Sequence, residues 1–464
     1  MIDRLNLLSA AQWTGLAVVL LGVVLAAGWF VRRRVGFLRT LFIPAAVVSG
    51  FLVLLAGPQV LGALTGTQGL FPEAVIEVWR VIPGLMINVV FAAIMIGKSL
   101  PSLSQLWRSA RPHALMGSFL SLGQFALGGL AVLFLLGPVF GLPAEAGSLL
   151  EMSFAGGHGT IAGMGGLLVD AGAGELVDIG LGLATISMVT GVVIGSALVR
   201  WAVRNPSIPV MRTQPLTGAE DHDLDLAGDD DPDAGHGDTT DQGIHATVVA
   251  FAAISLAVVV AIALLWGLRW LTGLVGLTLF EKLPLFPVAV IGGFLVQFAA
   301  SRLGLAHYIE KRAVNGISAV ALDILLVCAI GTMSLATIGS NIPAVATFTV
   351  IGVGWSVVTL VWWGRRFHRE HWFEHAIADF GQSQGNVATG FVLAGMADPE
   401  HRTSAALDYG YKQLPYEPFL GGGLITALSV PIITAVGLPV FTVASIVVTA
   451  LCGWLGMRRS AEST

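Results

Sequence analysis

Long apolar runs alternate with short polar segments along most of the chain. A helix needs roughly 18 apolar residues or more to cross a hydrocarbon core of about 30 Å, and many of these runs are that long. They predict membrane helices at 13–30, 40–57, 80–97, 113–136, 175–200, 245–268, 284–301, 314–336, 342–363, 415–436 and 439–457. Alternating strands of the outer-membrane barrel type are absent. The pattern predicts an all-α membrane protein with about 11 transmembrane helices.

Two further stretches, 144–172 and 371–397, are apolar but rich in glycine and interrupted by polar residues at their centres. We predict that they are re-entrant hairpins, which dip into the membrane and return on the same side. Irregular backbone in lipid leaves N–H and C=O groups unpaired, at a cost of several kcal/mol each. It persists only where protein, water, an ion or a substrate pairs with those groups. The two hairpin tips are therefore the predicted binding site.

The positions of lysine and arginine test this topology, because these residues concentrate in cytoplasmic loops. With the N-terminus outside and both Gly-rich stretches as hairpins, the predicted inner loops hold most of the positive charge: Arg32, Arg33, Arg34, Arg39, Lys98, Arg108, Arg111, Arg200, Arg204, Arg212, Arg302, Lys311, Arg312, Arg365, Arg366 and Arg369. The C-terminus, with Arg458 and Arg459, is then also inside. We predict a multi-pass protein of the inner (cytoplasmic) membrane.

The two hairpins then enter from opposite sides, which predicts an inverted repeat. PAAVVSGFLV from Pro44 matches PVAVIGGFLV from Pro287, and FAGGHGT from Phe154 matches FGQSQGN from Phe380. We therefore divide the chain into a first repeat (1–203), a linker (204–244), a second repeat (245–436) and an additional C-terminal helix and tail (437–464). Inverted repeats with broken, Gly-rich segments recur in secondary transporters.

The composition fits a membrane protein, with 55% hydrophobic and only 11% charged residues. The formal net charge of −5 comes from residues 219–241, which hold ten Asp or Glu and no Lys or Arg. A tract of this kind cannot bury a core, so we interpret it as a solvated cytoplasmic linker. We expect the lipid bilayer as a partner and no nucleic acid. Cys328 and Cys452 lie in apolar runs and are interpreted as small core residues.

The motifs of soluble enzymes are missing. There is no Walker-type phosphate loop, no cysteine/histidine cluster for a structural metal, and no GxSxG in a strand–turn–helix setting. We predict no enzyme activity, no catalytic residue and no cofactor. The inverted repeat with its broken, Gly-rich segments instead favours the carriage of a small anionic or zwitterionic solute.

The predicted substrate-binding residues all lie at the hairpin tips. They are Ser153, Gly156, Gly157, His158, Gly159 and Thr160 in the first tip, and Gln382, Ser383, Gln384, Gly385 and Asn386 in the second. Glycines permit tight turns and a close approach to a ligand. His158 either hydrogen-bonds a carboxylate or relays a proton, or it pins its hairpin as a neutral imidazole. The neutral side chains of the second tip bind a carboxylate or an amino acid, or bond the hairpin to neighbouring helices.

Ion-binding candidates are Asp323, Asn88, Thr185 and Thr190. Asp323 is the only carboxylate well inside a predicted crossing, and an ionisable group in lipid is a candidate functional site. The alternative is a helix-to-helix hydrogen bond for Asp323, and for the hydroxyls a bond to their own helix. Tyr409, Tyr411 and Tyr416, with Lys412 and Glu417, are interpreted as an interfacial anchor rather than a substrate gate.

The sequences SFAGGHGT from Ser153 and LATISMVTGVVIGSALVRW from Leu183 resemble the sodium/glutamate symporter family. The resemblance implies a homodimeric, elevator-type transporter with sodium as the coupling ion. It further implies that glutamate or a related small carboxylate binds where the hairpin tips meet. Two alternatives stay open: a carrier of the same fold for another solute with proton coupling through Asp323 or His158, and a channel or sensor derived from this fold.

Overall fold

The computed structural model describes residues 9–40, 43–97, 103–210, 239–274 and 283–461, and its regular elements there are helical. Ten helical spans in these ranges are long and apolar enough to cross a membrane: Ala11–Arg34, Ala45–Thr65, Glu73–Ala93, Ala110–Phe140, Glu175–Arg204, His245–Gly273, Leu285–Arg302, Lys311–Thr332, Ile342–Phe367 and Leu438–Arg458. The predicted all-α membrane fold is confirmed.

The helices before the linker are α1 (Ala10–Arg34), α2 (Gly36–Thr40), α3 (Ala45–Ala56), α4 (Ala63–Thr65), α5 (Glu73–Ala93), α6 (Leu103–Ala131), α7 (Gly137–Phe140), α8 (Leu149–Phe154), α9 (Gly157–Asp170) and α10 (Glu175–Arg204). The later helices are α11 (Thr239–Gly273), α12 (Leu285–Arg302), α13 (Lys311–Thr332), α14 (Leu335–Ser340), α15 (Ile342–Val358), α16 (Gly364–Phe367), α17 (Trp372–Ser383), α18 (Val387–Ala397), α19 (Ala405–Tyr416), α20 (Leu424–Val436) and α21 (Leu438–Ala461). Proline lies at the start of several of them, because its fixed φ suits the first turn of a helix and the N–H that it lacks would have no partner within the helix there.

Small residues set the spacing of the membrane helices. α5 packs against α12 and α13, and α3 packs against α13. A methyl group on Gly293 of α12 would overlap the carbonyl group of Ala92 on α5. Close backbone approach of this kind is the main source of helix association in lipid, where no hydrophobic driving force acts between helices.

The outer helices carry large exposed apolar side chains. Trp266 on α11 is 72% exposed, and Val19 on α1 and Val447 on α21 are also exposed. A soluble protein of this size would bury such surfaces against itself. In a bilayer the same residues face lipid, so the exposed apolar belts agree with the membrane assignment.

One predicted crossing differs from the structure. The helix predicted over 415–436 is wrong as a continuous crossing, because α19 ends at Tyr416 and α20 begins at Leu424. The helix that holds the predicted crossing 245–268 begins at Thr239, and the division of the chain into repeats, linker and C-terminal helix stays a prediction. The acidic tract falls almost wholly in 211–238, outside the described residues, so its role stays a prediction.

Candidate functional site

The first Gly-rich stretch folds back on itself within the helical body. Leu149 of α8 and Ile161 of α9 both reach Gly180 of α10, at 3.0 and 2.6 Å from the place that a methyl group there would take. Both arms therefore pack at the same level of α10, and return to the same side of the membrane stays a prediction. The tip residue Gly157 has a φ of 72°, a conformation that side-chain-bearing residues seldom adopt.

The second Gly-rich stretch forms a tighter hairpin from α17 and α18. A methyl group on Gly381 would lie 2.7 Å from the Cα atom of Gly390, so the two arms touch through their backbones. At the tip, Asn386 caps α18 by accepting a hydrogen bond from the backbone N–H of Thr389 at 3.0 Å. Capping replaces a bond that the helix cannot make for itself. The tip is thereby held as a defined turn.

The two tips meet against the middle of α10. A methyl group on Gly157 would lie 2.8 Å from the carbonyl oxygen of Gly385. Ser187 of α10 donates a hydrogen bond to the carbonyl oxygen of Gln384 at 2.6 Å. On the other side of the junction, His158 Nε2 lies 2.9 Å from the hydroxyl of Thr185. The fold therefore brings together two tips that are more than 200 residues apart in the chain.

A third break in regular structure lies beside this junction, in the unwound segment 417–423 between α19 and α20. Gly421 and Gly422 have φ angles of 66° and 105°, which a continuing right-handed helix cannot contain. The backbone N–H of Gly421 donates to Glu151 Oε1 at 3.1 Å, and Thr426 donates to the same oxygen at 3.0 Å. Glu151, on α8, therefore ties the unwound segment to the first hairpin.

Several buried polar atoms around these breaks have no hydrogen-bond partner among the described residues. They are Glu151 Oε2, Ser153 Oγ, Gln124 Oε1 and Gln384 Oε1. Gln124 is held by a bond from its amide to the carbonyl oxygen of Ser383 at 2.9 Å. An unpaired buried polar group costs about 1–3 kcal/mol, so a native structure rarely keeps such groups without a purpose. All four atoms can accept hydrogen bonds or coordinate a hard cation.

The predicted substrate residues are gathered at this junction, but many of their side chains already have protein partners. His158 is 5% exposed and contacts Thr185, as its pinning interpretation requires. Ser383 bonds Ser356, Gln382 bonds Gln413, and Thr160 bonds its own helix. Gly156, Gly157 and Gly159 lie in or next to the first tip, and Gly385 lies at the second. Their contact with substrate stays a prediction.

The predicted ion-binding residues are scattered. Asn88 donates to the carbonyl oxygen of Gly84 in its own helix, and Thr190 likewise bonds Ile186. Thr185 bonds its own helix too, but it also reaches His158. Asp323 is half-buried on α13. Of these four candidates, the hydrogen bonds of the described residues tie only Thr185 to a hairpin tip.

The interfacial-anchor interpretation of the tyrosine cluster is wrong for three of its members. Tyr409 and Lys412 are fully buried, and Tyr416 is 4% exposed. Lys412 Nζ donates to Asp379 Oδ1 at 2.9 Å and to Gln382 Oε1 at 2.8 Å. An ammonium group becomes buried in a membrane protein only when it is paired, and its carboxylate partner lies in the second hairpin.

Sequence reasoning missed Glu151 and Asp379 because both lie in the hairpins rather than in predicted crossings. The available signal was a single acidic residue within an apolar run, as in GSLLEMSF and AIADF.

Sequence reasoning also missed a cluster of three histidines. One ring nitrogen from each of His113, His368 and His375 lies within 4.8 Å of the other two. Both ring nitrogens of His113 are occupied, one by Asp379 and the other by His375. The three rings therefore form a hydrogen-bonded cluster with a carboxylate.

The ten apolar spans of the described ranges define a multi-pass membrane protein, and two hairpins that meet inside the helical body beside an unwound segment are typical of a transporter. The family model described as sodium/glutamate symporter matches residues 11–363. That match covers well over half of the chain, which therefore belongs to the sodium/glutamate symporter family. This is a family of transporters and not of enzymes, and its name points to sodium as the coupling ion. A comparison with curated proteins finds no match.

Proposed function

We propose that this protein is a secondary active symporter that couples a sodium gradient to the uptake of glutamate or a related small carboxylate or amino acid. The observation that carries the proposal is the meeting of the two hairpin tips and the unwound segment 417–423. At each of the three breaks, backbone N–H and C=O groups lose their partners within the helix. Such breaks are typical of the binding sites of secondary transporters, where an ion or a substrate pairs with these groups.

The junction offers complementary groups for a zwitterion. None of the described side chains caps the start of α9, so its first N–H groups and its helix dipole favour a carboxylate. The unpaired oxygens of Glu151, Ser153 and Gln384 suit a sodium ion or a substrate ammonium group. An amino acid with a coupled cation would satisfy both sets at once.

We further propose that the chain consists of two repeats, with a defined orientation in the membrane, that work by alternating access. The π-helical turns Val132–Leu136 and Thr359–Trp363 each precede one hairpin, which supports the division into two repeats; their opposite orientation is proposed from the charge distribution. The charge distribution supports an N-terminus outside and a C-terminus inside the cytoplasmic membrane. A homodimer with elevator-type alternating access completes the proposal by resemblance to the family.

Uptake of labelled glutamate into proteoliposomes tests the proposal. We expect uptake that requires an inward sodium gradient and saturates with substrate. Equal uptake after potassium replaces sodium would refute sodium coupling, and non-saturating conductance would favour a channel. A thermal-shift screen of amino acids and carboxylates, with and without sodium, identifies the solute if glutamate fails.

The role of the buried acceptor oxygens is tested by Glu151→Gln. The substitution keeps the size of the side chain but replaces one carboxyl oxygen with an amide NH2 group, which cannot coordinate a cation, so the apparent sodium affinity should fall by tenfold or more, which corresponds to about 1.4 kcal/mol. The matched control is Glu175→Gln, because Glu175 is exposed at the start of α10. Equal sodium dependence in the two variants would remove Glu151 from the cation site.

A further inference from the structure

A continuous chain of hydrogen bonds links a partly exposed histidine to the second hairpin. His375 Nδ1 lies 2.9 Å from His113 Nε2, and His113 Nδ1 lies 2.8 Å from Asp379 Oδ2. The other oxygen of Asp379 accepts from Lys412 at 2.9 Å, and Lys412 also donates to Gln382 at 2.8 Å. His375 is partly exposed, whereas the other four residues are at most 3% exposed.

The cluster is built from four separate parts of the chain. α6 supplies His113, the turn after α16 supplies His368, α17 supplies His375 and Asp379, and α19 supplies Lys412. The ring of Tyr416 lies 4.2 Å from the Lys412 ammonium, and the ring of Tyr409 lies 5.4 Å from it. Farther out, His371 faces His375, and Glu417 faces Lys412.

The charges leave room for one exchangeable proton. Asp379 and Lys412 neutralise each other, and the three imidazoles can all be neutral. A proton that binds Nε2 of His375 displaces the Nδ1 proton toward His113 Nε2. The resulting imidazolium stays paired with Asp379, so the added charge is never left alone in a site that excludes water.

We propose that this cluster is a proton-binding site whose occupancy is coupled to substrate carriage. An imidazolium beside Asp379 competes with Lys412 for that carboxylate. This competition alters the position of the Lys412 ammonium and therefore its hydrogen bond to Gln382 near the hairpin tip. Gln382 also borders the unwound segment, since its amide nitrogen lies 3.8 Å from the place that a methyl group on Gly421 would take. The family match ends at residue 363, so all of these residues except His113 lie beyond it. The inference rests on the proposed carrier function.

The coupling is measured as substrate accumulation in proteoliposomes at a fixed sodium gradient. If one proton travels with each substrate, each unit of inward pH gradient raises the accumulation ratio about tenfold, because one pH unit equals 1.36 kcal/mol. An accumulation ratio that ignores the pH gradient in the unmodified protein would overturn the proposal.

Two variants place the effect in the cluster. His113→Gln breaks the chain without unpairing a charge, and Asp379→Asn combined with Lys412→Met removes both charges together. Each should lose the tenfold dependence on the pH gradient, whereas His307→Gln, at an exposed position, should keep it. Full pH coupling in both cluster variants would contradict the assignment.

A second readout works without any substrate and separates this inference from the carrier function. The imidazole ¹⁵N resonances of His113 and His375 in the reconstituted protein should shift in one shared step as the pH is varied. That step should disappear in the double variant and persist in His307→Gln. Resonances that stay constant between about pH 5 and 8 would refute the proton site even if sodium-driven uptake is found.

Discussion

The contact between the hairpin tips makes Gly157→Ala the sharpest test of where the solute binds. The left-handed φ of 72° costs a residue with a side chain about 1–2 kcal/mol. The new methyl group would also lie 2.8 Å from the carbonyl oxygen of Gly385, well inside an ordinary contact distance of about 3.5 Å. The tips must separate, and a gap of about 0.5–1 Å already forfeits a quarter to a half of a dispersion contact.

Gly172→Ala separates the backbone strain from the tip contact. Gly172 has a φ of 78°, but a methyl group there has open space around it. The backbone strain should cost each variant about 1–2 kcal/mol of folding stability, and the apparent melting temperature should fall further in Gly157→Ala because its methyl group also meets the Gly385 carbonyl oxygen. Only Gly157→Ala should also weaken substrate binding, by about tenfold if one hydrogen bond of roughly 1.4 kcal/mol is lost.

The assay is equilibrium binding of labelled glutamate to the purified protein in the presence of sodium, with the melting temperature of each variant measured in parallel. Equal binding by Gly157→Ala and Gly172→Ala would show that the tips do not form the site. Loss of binding in Gly157→Ala alone, measured at a temperature where both variants are folded, would support the tips as the site.

Three further predictions follow from particular contacts. Ser187→Ala removes the bond to the second tip and should cost about 0.5–1.5 kcal/mol, seen as up to tenfold slower uptake; unchanged uptake would mean that this bond does not position the tip. Gly159→Leu and Gly385→Leu should each abolish uptake but not membrane insertion, because a large side chain would push the first tip away from Ile87 and the second tip away from Met188, and normal uptake in either variant would count against the tips as the site. In the loop after α18, burial raises the pKa of Asp398, but hydrogen bonds from Thr403 and Arg402 outweigh burial and lower it. Its stabilisation is present above the ordinary pKa and lost as the pH falls through the lowered value, so Asp398→Asn should lower the melting temperature at neutral pH and flatten its acid dependence; an unaltered acid dependence would contradict this.

The sequence was a good guide wherever local chemistry decides the outcome. Transfer of apolar residues into lipid depends on composition over about 18 residues, so most crossings were found within a few residues. Glycine at the tips also leaves a local signal, since Gly157 needs a φ that other residues avoid. The helix predicted over 415–436 failed for a related reason: its apolar content resembles a crossing, but Gly421 and Gly422 unwind it.

Long-range pairing was beyond the reach of a single sequence. Glu151 bonds Gly421, 270 residues away, and His113 bonds Asp379, 266 residues away. Nothing near Lys412 in the chain distinguishes a buried ammonium from one at the interface, because burial depends on the carboxylate that the fold delivers. Local composition was enough to assign this protein to a membrane and to locate the breaks in its backbone. That those breaks meet, and which charges neutralise one another, is apparent only in the folded chain, because electrostatic pairing depends on distance in space and not on separation along the chain.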